Sequence, residues 1–472
     1  MFSHEYFDAE FSERGAAIIN LKLKKWDKPH SGEVILIDKN KIASGAFLVD
    51  LPNQGADFKN RQFALELLDR GKGEVRFSSE EAGKWRLIKT FHFAPDKPAI
   101  QLDVEIQNLS SQAQTTALEL GNSLTVRLMG RNDSFQAQSF VALPDKLNSV
   151  RLAGALKKPH IFEGKILWQS LCEKYFGIFV RPSEPAELAQ VTAGREPAEA
   201  LHGLMRFAAQ EIQPLASRHY EFLVYAGPEY YKDLKSFGYG FEGVLSNGFF
   251  GIFKVWLLAA LQWAHRAAGN YGWAIILITC AVKLLFTPLT HMSFDSMKKM
   301  QALQPKLKAL QERYKSDQAK LSQEMMQLYK RNKVNPMGGC LPMVLQIPIF
   351  ISFYQVLAQT VELKGEPFIF WIRDLSAPDR AWTLPFALPF LGDAINILPL
   401  FMIGSMVWQQ RLTPATGTPE QQKIMMIMPV VFGFVFYSLP SGLVLYWFVN
   451  NMLSIFHQLF VKGKALPHHE ET

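Results

Sequence analysis

Two patterns of apolar and polar residues divide the chain near residue 235. Before this point, apolar and polar residues alternate with a period of two, whereas long apolar runs dominate the remainder. Such alternation is typical of half-buried strands, and a run of roughly 20 apolar residues is long enough to cross a bilayer. The sequence therefore predicts a β-domain over residues 1–235, followed by a membrane-embedded part.

Short segments of the first part follow the strand pattern, namely 17–26, 32–38, 85–94, 99–109, 116–128, 174–181 and 218–228. Turn-forming runs such as Gly71-Lys72-Gly73 separate them. Many strands with few amphipathic helices predict an antiparallel all-β sandwich. The histidines of this part are scattered and accompany no catalytic motif. We interpret the domain as a binding or spacing module rather than an enzyme.

Residues 236–270 are predicted to form a linker and an amphipathic helix. Apolar residues recur there at helical spacing: Phe249, Phe250, Phe253, Trp256, Leu257, Ala260 and Leu261. Lys254, His265 and Arg266 lie elsewhere on the helix. This pattern suits a helix in the membrane interface. The alternative is an ordinary amphipathic helix packed on a soluble core, and we favour the interface because an apolar run of spanning length follows.

The remaining apolar segments are candidate membrane spans, at 271–290, 341–361, 394–409, 424–440 and 442–461. Asp393 borders the third segment, and Pro429 lies inside the fourth. Proline is tolerated in bilayer helices when neighbouring groups satisfy the freed backbone. These segments predict a five-span α-helical bundle over residues 271–462, and hence a multidomain membrane protein.

Basic residues are concentrated in the loop 291–340, which carries ten bases and four acids. The loop 362–393 carries three bases and five acids. By the positive-inside rule, the first loop is cytoplasmic and the second lies outside. The β-domain is then outside, and the tail 463–472 is cytoplasmic. The net charge of +7 thus reflects topology, and sequence-specific binding of nucleic acid becomes a poor alternative.

The first 20 residues contain no export signal, because Asp8, Glu10, Glu13 and Arg14 interrupt any apolar core. A domain of more than 200 residues on the outside needs such a signal. We therefore expect an anchor helix to precede residue 1 in the complete protein.

The basic loop 291–340 is itself predicted to be a helical hairpin. Met300, Leu303, Leu307, Leu310 and Tyr314 recur at helical spacing, and 322–334 supplies a second amphipathic piece. Pro305 is expected to kink or restart the first helix. The hairpin is either a docking arm for a ribosome or nascent chain, or a solvated link between spans.

Separated strings of the second part resemble the bacterial YidC insertases of the wider Oxa and Alb family. They are KVNPMGGCLPMVLQIPIF (333–350), FWIRDLSAPD (370–379), QQKIMMIMPVVFGF (421–434) and PSGLVLYWFVNN (440–451). The resemblance extends from about residue 236 to 462, with the elements in the same order. The first part resembles the periplasmic domain of Gram-negative members in position, size and strand pattern.

This resemblance implies a membrane protein insertase and folding chaperone of the bacterial inner membrane. Such proteins insert nascent membrane proteins into the lipid bilayer, alone or with the Sec translocon, through a hydrophilic groove. A ribosome is the further partner expected for the hairpin and the tail. No phosphate-binding G-x-x-x-x-G-K-[ST] string is present, so we expect no nucleotide cofactor, and no set of metal ligands is evident.

The resemblance also implies residues for the client-binding groove. Its cation falls on Lys283, where well-known members carry arginine, and Thr279 one turn earlier matches another groove position. Tyr446 and Trp447 match an aromatic pair in the last span. We place Gln346 and Gln355 in the same cavity because they are polar residues of a predicted span.

Lys283 stands in the apolar run 271–290, where a cation costs about 2.5–3.5 kcal/mol on insertion scales. A hydrated groove explains that cost, because the charge would help a short acidic or polar segment to cross. The alternative is snorkelling, since Thr290 lies only about 10 Å of helix away. A secondary transporter is the alternative function, although the spans contain no paired inverted halves.

Overall fold

The computed structural model describes residues 1–24, 33–42, 44–52, 54, 57–126, 137–194, 200–248, 251–314, 317–332, 334, 341–388, 392–412 and 419–463. The chain forms two compact units, Met1–Asn247 and Gly248–Thr472. Some predicted residues lie outside these ranges, namely Phe249 and Phe250, much of the string 333–350, and residues 464–472 of the predicted tail.

The first unit is built mainly of strands. They are β1 (Phe2–Ser3), β2 (Phe7–Ser12), β3 (Ala17–Leu23), β4 (Val34–Ile37), β5 (Leu48–Asp50), β6 (Ala64–Asp69), β7 (Glu74–Glu81), β8 (Trp85–Phe93), β9 (Ala99–Asn108), β10 (Gln114–Thr116), β11 (Glu119–Thr125), β12 (Gln138–Ala142), β13 (Leu147–Arg151), β14 (His160–Ile166), β15 (Trp168–Cys172), β16 (Phe176–Pro182), β17 (Ala186–Gly194), β18 (Ala200–Arg206), β19 (Gln210–Ile212) and β20 (Ser217–Pro228). Short helices complete it: α1 (Leu152–Ala155), α2 (Tyr231–Ser236) and α3 (Gly243–Ser246).

The strands form antiparallel sheets. The largest has the order β13-β12-β15-β16-β20-β9-β8-β7-β6, and a second has the order β14-β17-β18-β11-β5. These two sheets face each other, because Gln169 of β15 donates a hydrogen bond to the carbonyl of Gln190 in β17 (3.0 Å). A third sheet, β1-β2-β3-β4, and the pair β10-β19 complete the unit. The prediction of a β-rich first domain is confirmed.

The predicted strand segments coincide with β3, β4, β8, β9, β11, β16 and β20. The predicted strand 116–128 is wrong at its start, because β10 ends at Thr116 and β11 begins at Glu119. Several strands were not predicted. In β15, every residue from Trp168 to Cys172 is buried, so both faces avoid water and no alternation marks the strand.

The predicted linker contributes to the core of the first unit. Phe241, Val244 and Leu245 belong to the same buried cluster as Trp168 and Phe179. The rings of Trp168 and Phe241 lie 5.3 Å apart, and the indole N–H of Trp168 donates to the carbonyl of Tyr239 (3.0 Å). The chain up to Asn247 therefore packs with the strands, beyond the predicted domain boundary at residue 235.

One core-facing position of β8 carries an ionisable amine. Lys89 is fully buried, and its Nζ donates hydrogen bonds to the carbonyl oxygens of Gly15 (3.0 Å), Ala16 (2.6 Å) and Phe47 (2.6 Å). All three acceptor residues have positive φ (67°, 45° and 62°), a conformation that non-glycine residues seldom adopt. The ammonium thus ties the β2–β3 turn and the segment before β5 to β8.

The second unit is helical. It contains α4 (Gly251–Ala268), α5 (Tyr271–Arg313), α6 (Gln318–Arg331), α7 (Leu341–Gln359), a 3-10 turn (Val361–Leu363), β21 (Trp382–Leu388), β22 (Gly392–Ile395), α8 (Leu398–Leu412), α9 (Pro419–Phe436) and α10 (Ser441–Gly463). Among the described residues, two helices are long and apolar enough to cross a membrane, at Tyr271–Arg313 and Ser441–Phe460. A shorter apolar helix covers Met425–Phe436, and the five-span arrangement stays a prediction.

The third predicted span starts too early, because residues 392–395 form β22 and α8 begins at Leu398. The carboxylate of Asp379 sets this start. Its Oδ2 accepts hydrogen bonds from the backbone N–H groups of Ile397 (2.9 Å) and Leu398 (2.8 Å). An acidic side chain at a helix N-terminus satisfies donors that have no partner within the helix.

Of the two outcomes expected at Pro305, a restart is wrong, because α5 continues from Tyr271 to Arg313 with Pro305 inside it, and a kink stays a prediction. Leu303 and Leu307, on either side of the proline, belong to a buried cluster with Tyr329 of α6. Proline removes one backbone hydrogen bond from the helix, and this packing compensates for the loss. α5 therefore joins the first predicted span to the predicted hairpin without interruption.

The predicted apolar stripe of α4 is divided between exposed and buried positions, and its location in the membrane interface stays a prediction. Phe253 and Trp256 are 55% and 75% exposed, whereas Leu258 and Leu261 are buried. Lys254 is buried as well, and its Nζ donates to Oε1 of Gln359 on α7 (3.1 Å). The sequence places this lysine away from the apolar stripe, and the bond to Gln359 gives its buried Nζ an acceptor.

Replacing Lys89 by methionine is expected to destabilise the first unit. Three buried carbonyls would lose their donor, at about 1 kcal/mol each and roughly 3 kcal/mol in total. The melting temperature of the strand signal in circular dichroism, measured on the purified protein, should fall. Lys84→Met, at an exposed turn position, is the matched control. An unchanged melting temperature for Lys89→Met would contradict the structural role.

The same lysine predicts a pH dependence. Burial lowers the pKa of Lys89 from 10.5 to about 7, so between these values the unfolded chain binds a proton that the folded chain does not. The stability contributed at this position is therefore expected to rise as the pH increases from about 7 to 10.5. Melting temperatures of wild type and Lys89→Met should diverge over this range, and parallel curves would refute the prediction.

Candidate functional site

The helix α10 is bonded through side chains to three other helices. Asn451 donates to the hydroxyl of Ser405 on α8 (3.1 Å), and Gln346 on α7 donates to the hydroxyl of Tyr446 (2.9 Å). The third bond comes from Lys283 on α5. Since lipid cannot replace such partners, hydrogen bonds between helices favour one arrangement of the helices in a bilayer.

Lys283 lies half-buried between α5 and α10. Its Nζ donates to Oγ of Ser454 at 2.6 Å and to Oδ1 of Asn450 at 3.3 Å. Both acceptors are neutral, so they solvate the ammonium without neutralising it. The helix therefore presents a cation that keeps its full attraction for an incoming anion.

Thr279 and Tyr446 lie in the same helices as Lys283 and its acceptors. Thr279 is 1% exposed, and its hydroxyl donates to the carbonyl of Ile275 (2.6 Å), so it is turned onto its own helix. Tyr446 is also 1% exposed and stacks on Phe353 of α7 with ring centroids 4.2 Å apart. Tyr446 precedes Asn450 by four residues, so both side chains lie on one face of α10.

Trp447 belongs to an aromatic cluster rather than to the polar face. Its ring lies 5.2 Å from that of Phe350, 5.8 Å from Phe432 and 5.3 Å from Phe436. Gln355 is half-buried on α7. Of the predicted groove residues, the structure thus joins Gln346 to Tyr446 directly, and it joins Lys283 to side chains that were not predicted.

Asn450 and Ser454 were missed in the sequence. The signal was present, because Tyr446, Asn450 and Ser454 recur every four residues in a largely apolar span. Such spacing places them along one helix face. The string PSGLVLYWFVNN was used for the resemblance, and its polar end was given no role.

One end of the helical unit is closed by the segment 366–379. Gly442 and Ser441, at the start of α10, donate backbone hydrogen bonds to the carbonyls of Leu375 (3.0 Å) and Ala377 (2.7 Å). The carboxylate of Asp379 caps α8, and the side-chain amide of Asn270, at the start of α5, donates to the carbonyl of Pro367 (2.9 Å). The first residues of three helices therefore meet at one segment, which covers their N-terminal ends.

Comparisons with known proteins cover both parts of the chain. A family model described as the 60Kd inner membrane protein matches residues 263–468, and a model of the YidC periplasmic domain matches residues 2–260. Membrane protein insertase YidC from Pelobacter propionicus is 34% identical over 464 residues, which are 96% of this chain and 85% of that protein. The protein of the same name from Geotalea uraniireducens is 34% identical, covering 98% and 86%.

A solved structure described as an active YidC insertase with the first transmembrane domain resolved is also similar. It is 18% identical, with a TM-score of 0.41, and the match covers 96% of this chain and 91% of that one. The relatives at 34% identity decide the assignment, and they support an insertase rather than a transporter or an enzyme. The chain belongs to the YidC family of membrane protein insertases, which are inner membrane proteins with a periplasmic domain.

Proposed function

We propose that the helical unit crosses the inner membrane five times, with the first unit in the periplasm and the C-terminus in the cytoplasm. The excess of bases in 291–340 supports this topology, as does the acidic balance of 362–393. The segment 366–379 covers the starts of α5, α8 and α10, so these three helices begin on the same side. That side is then periplasmic, and the domain boundaries are those predicted, apart from the linker packed on the first unit.

The proposed client-binding groove lies between α5, α7 and α10. The observation that carries this proposal is the half-buried ammonium of Lys283, which is held by the neutral side chains of Asn450 and Ser454. Neither of these two acceptors is an anion, so a carboxylate of the client does not have to displace a negative charge from Lys283. Coulomb attraction between unit charges 4 Å apart is about 4 kcal/mol at an effective dielectric constant of 20.

Release of the client helix into lipid supplies the driving force in this proposal. A short polar segment enters the groove from the cytoplasm, while the adjacent apolar helix moves into the bilayer and leaves water. The helix α9 exposes a row of apolar side chains, including Met426 (68%), Ile427 (60%) and Phe434 (60%). Such a surface suits contact with lipid and with a client helix.

The helix pair of α5 and α6 is the proposed docking arm for a ribosome or nascent chain. A cavity of about 310 Å³ between these helices is lined by Lys306, Arg313 and Arg331, with Glu324 as the acid among its charged residues. A basic surface favours association with a polyanion. The Sec translocon is proposed as a second partner, on the strength of the resemblance alone.

Substitutions at Lys283 test the groove proposal. Lys283→Arg is expected to keep activity because the charge remains, whereas Lys283→Ala should impair clients with acidic translocated segments. Lys283→Glu should impair them further, since a carboxylate repels them. The measurement is complementation in vivo, together with insertion of client pairs that differ only in translocated acidic residues.

The matched controls are Lys298→Ala and Lys298→Glu, at an exposed position of the same helix. Snorkelling makes a different prediction, because Lys283→Ala would then insert into the membrane as well as wild type and remain active. Equal activity of the alanine and glutamate variants at Lys283 on every client would leave that residue without a role in insertion.

Cysteine labelling tests the topology. In a variant without native cysteines, Ser322→Cys in α6 should resist a membrane-impermeant maleimide until the inner membrane is permeabilised. Ser111→Cys in the first unit should react with the same reagent in spheroplasts. Both side chains belong to exposed residues, so access to the reagent depends on the side of the membrane. Ready labelling at position 322 in sealed spheroplasts would reverse the proposed topology.

The first unit is expected to be largely dispensable for insertion, since the motifs of the resemblance lie after residue 236. Deletion should extend through Asn247, because Phe241 and Leu245 lose their apolar cover when only the strands are removed. With a signal-anchor helix fused before Gly248, client insertion should continue at near wild-type yield. Loss of insertion by a variant that accumulates normally in the membrane would show that the first unit is required.

A further inference from the structure

The bond between Lys283 and Ser454 has a defined direction. The hydroxyl of Ser454 donates its hydrogen to the carbonyl of Asn450 (2.7 Å), one turn earlier in α10. Its oxygen is thereby left to accept from Nζ of Lys283 at 2.6 Å. A serine bonded back to its own helix is therefore fixed as an acceptor for the lysine.

The ammonium of Lys283 has three N–H donors, and two of them are directed at Ser454 and Asn450. These acceptors stand four residues apart on one face of α10, so the pair holds Nζ against that helix. With respect to the described part of the chain, one donor remains for a further acceptor. An anion that binds there adds a charge–charge attraction that neither neutral side chain provides.

We propose that Ser454 and Asn450 are the specificity-determining positioning residues of the groove. They hold the ammonium of Lys283 against α10 with neutral acceptors, so that a carboxylate of the client becomes its first negatively charged partner. The preference for acidic over neutral translocated segments then depends on the absence of charge at position 454. This inference rests on the proposed function of Lys283 and adds the residues that keep its charge available.

A carboxylate at position 454 is the direct test, because it would pair with Lys283 from within the protein. Ser454→Asp is expected to remove the preference for acidic clients even though the lysine is present. Ser454→Asn introduces a neutral side chain of the same size as aspartate, and Ser454→Thr keeps the hydroxyl. Both variants should retain the preference for acidic clients. A purely structural bond between α5 and α10 predicts another result, namely equal losses for acidic and neutral clients in any variant.

The experiment uses the full chain in inner-membrane vesicles and two clients whose translocated segments differ only in Asp against Asn. The quantity measured is the ratio of the insertion yields of the two clients, so the neutral client corrects for the amount of folded insertase. The ratio is expected to fall to about one for Ser454→Asp. It should stay at the wild-type value for Ser454→Thr and Ser454→Asn.

Asn451→Asp is the matched control, because Asn451 is the next residue after Asn450 but bonds to Ser405 on α8. A new carboxylate there should leave the ratio unchanged. If Lys283→Ala abolishes the preference and Ser454→Asp retains it, the inference about Ser454 is wrong while the function of Lys283 stands. If Lys283→Ala retains the preference, the proposed function fails, and the inference fails with it.

Discussion

A cation removed from water needs oxygen atoms around it, and both units of this chain contain such a cation. Lys89 is enclosed by three backbone carbonyls in the first unit, and Lys283 is bonded by two neutral side chains in the second. The number of acceptors decides how many N–H groups of each lysine are left for another molecule. When Lys89 is protonated, below a pH of about 7, all three of its N–H donors are used by carbonyls within the fold, whereas the described partners of Lys283 use two of its donors and leave one for another molecule.

The arrangement around Lys283 depends on α10. This helix bonds to α5, α7 and α8 through side chains spaced along one segment, from Tyr446 to Ser454. Its start is held by the carbonyls of the segment 366–379, which also meets the starts of α5 and α8. The string 370–379 therefore has a structural role, because its carbonyls and the carboxylate of Asp379 accept from backbone N–H groups at the starts of α10 and α8, which have no partner within those helices.

Much of the fold could be predicted where a residue's own neighbours determine its environment. Strands such as β8 and β9 alternate buried and mostly half-buried positions over much of their length, so their sequences show the period of two. Strand β15 is buried on both faces and gave no such signal. The start of α8 could not be predicted from its own residues, because the capping carboxylate of Asp379 lies 19 positions before Leu398. Likewise, Pro305 suggested a break that packing against Tyr329 prevents.

For the candidate site, the amino-acid sequence by itself determined that a cation stands in an apolar run, and the resemblance named Lys283 as the residue to examine. It also determined the charge of the loops and the division into a strand-rich and a helical part. Only the tertiary structure decided which atoms hold the ammonium, since Ser454 lies 171 positions away from Lys283 along the chain. Periodicity and composition report on short segments, whereas a bond between two helices depends on how each is rotated about its axis, which is set by the packing of the whole unit.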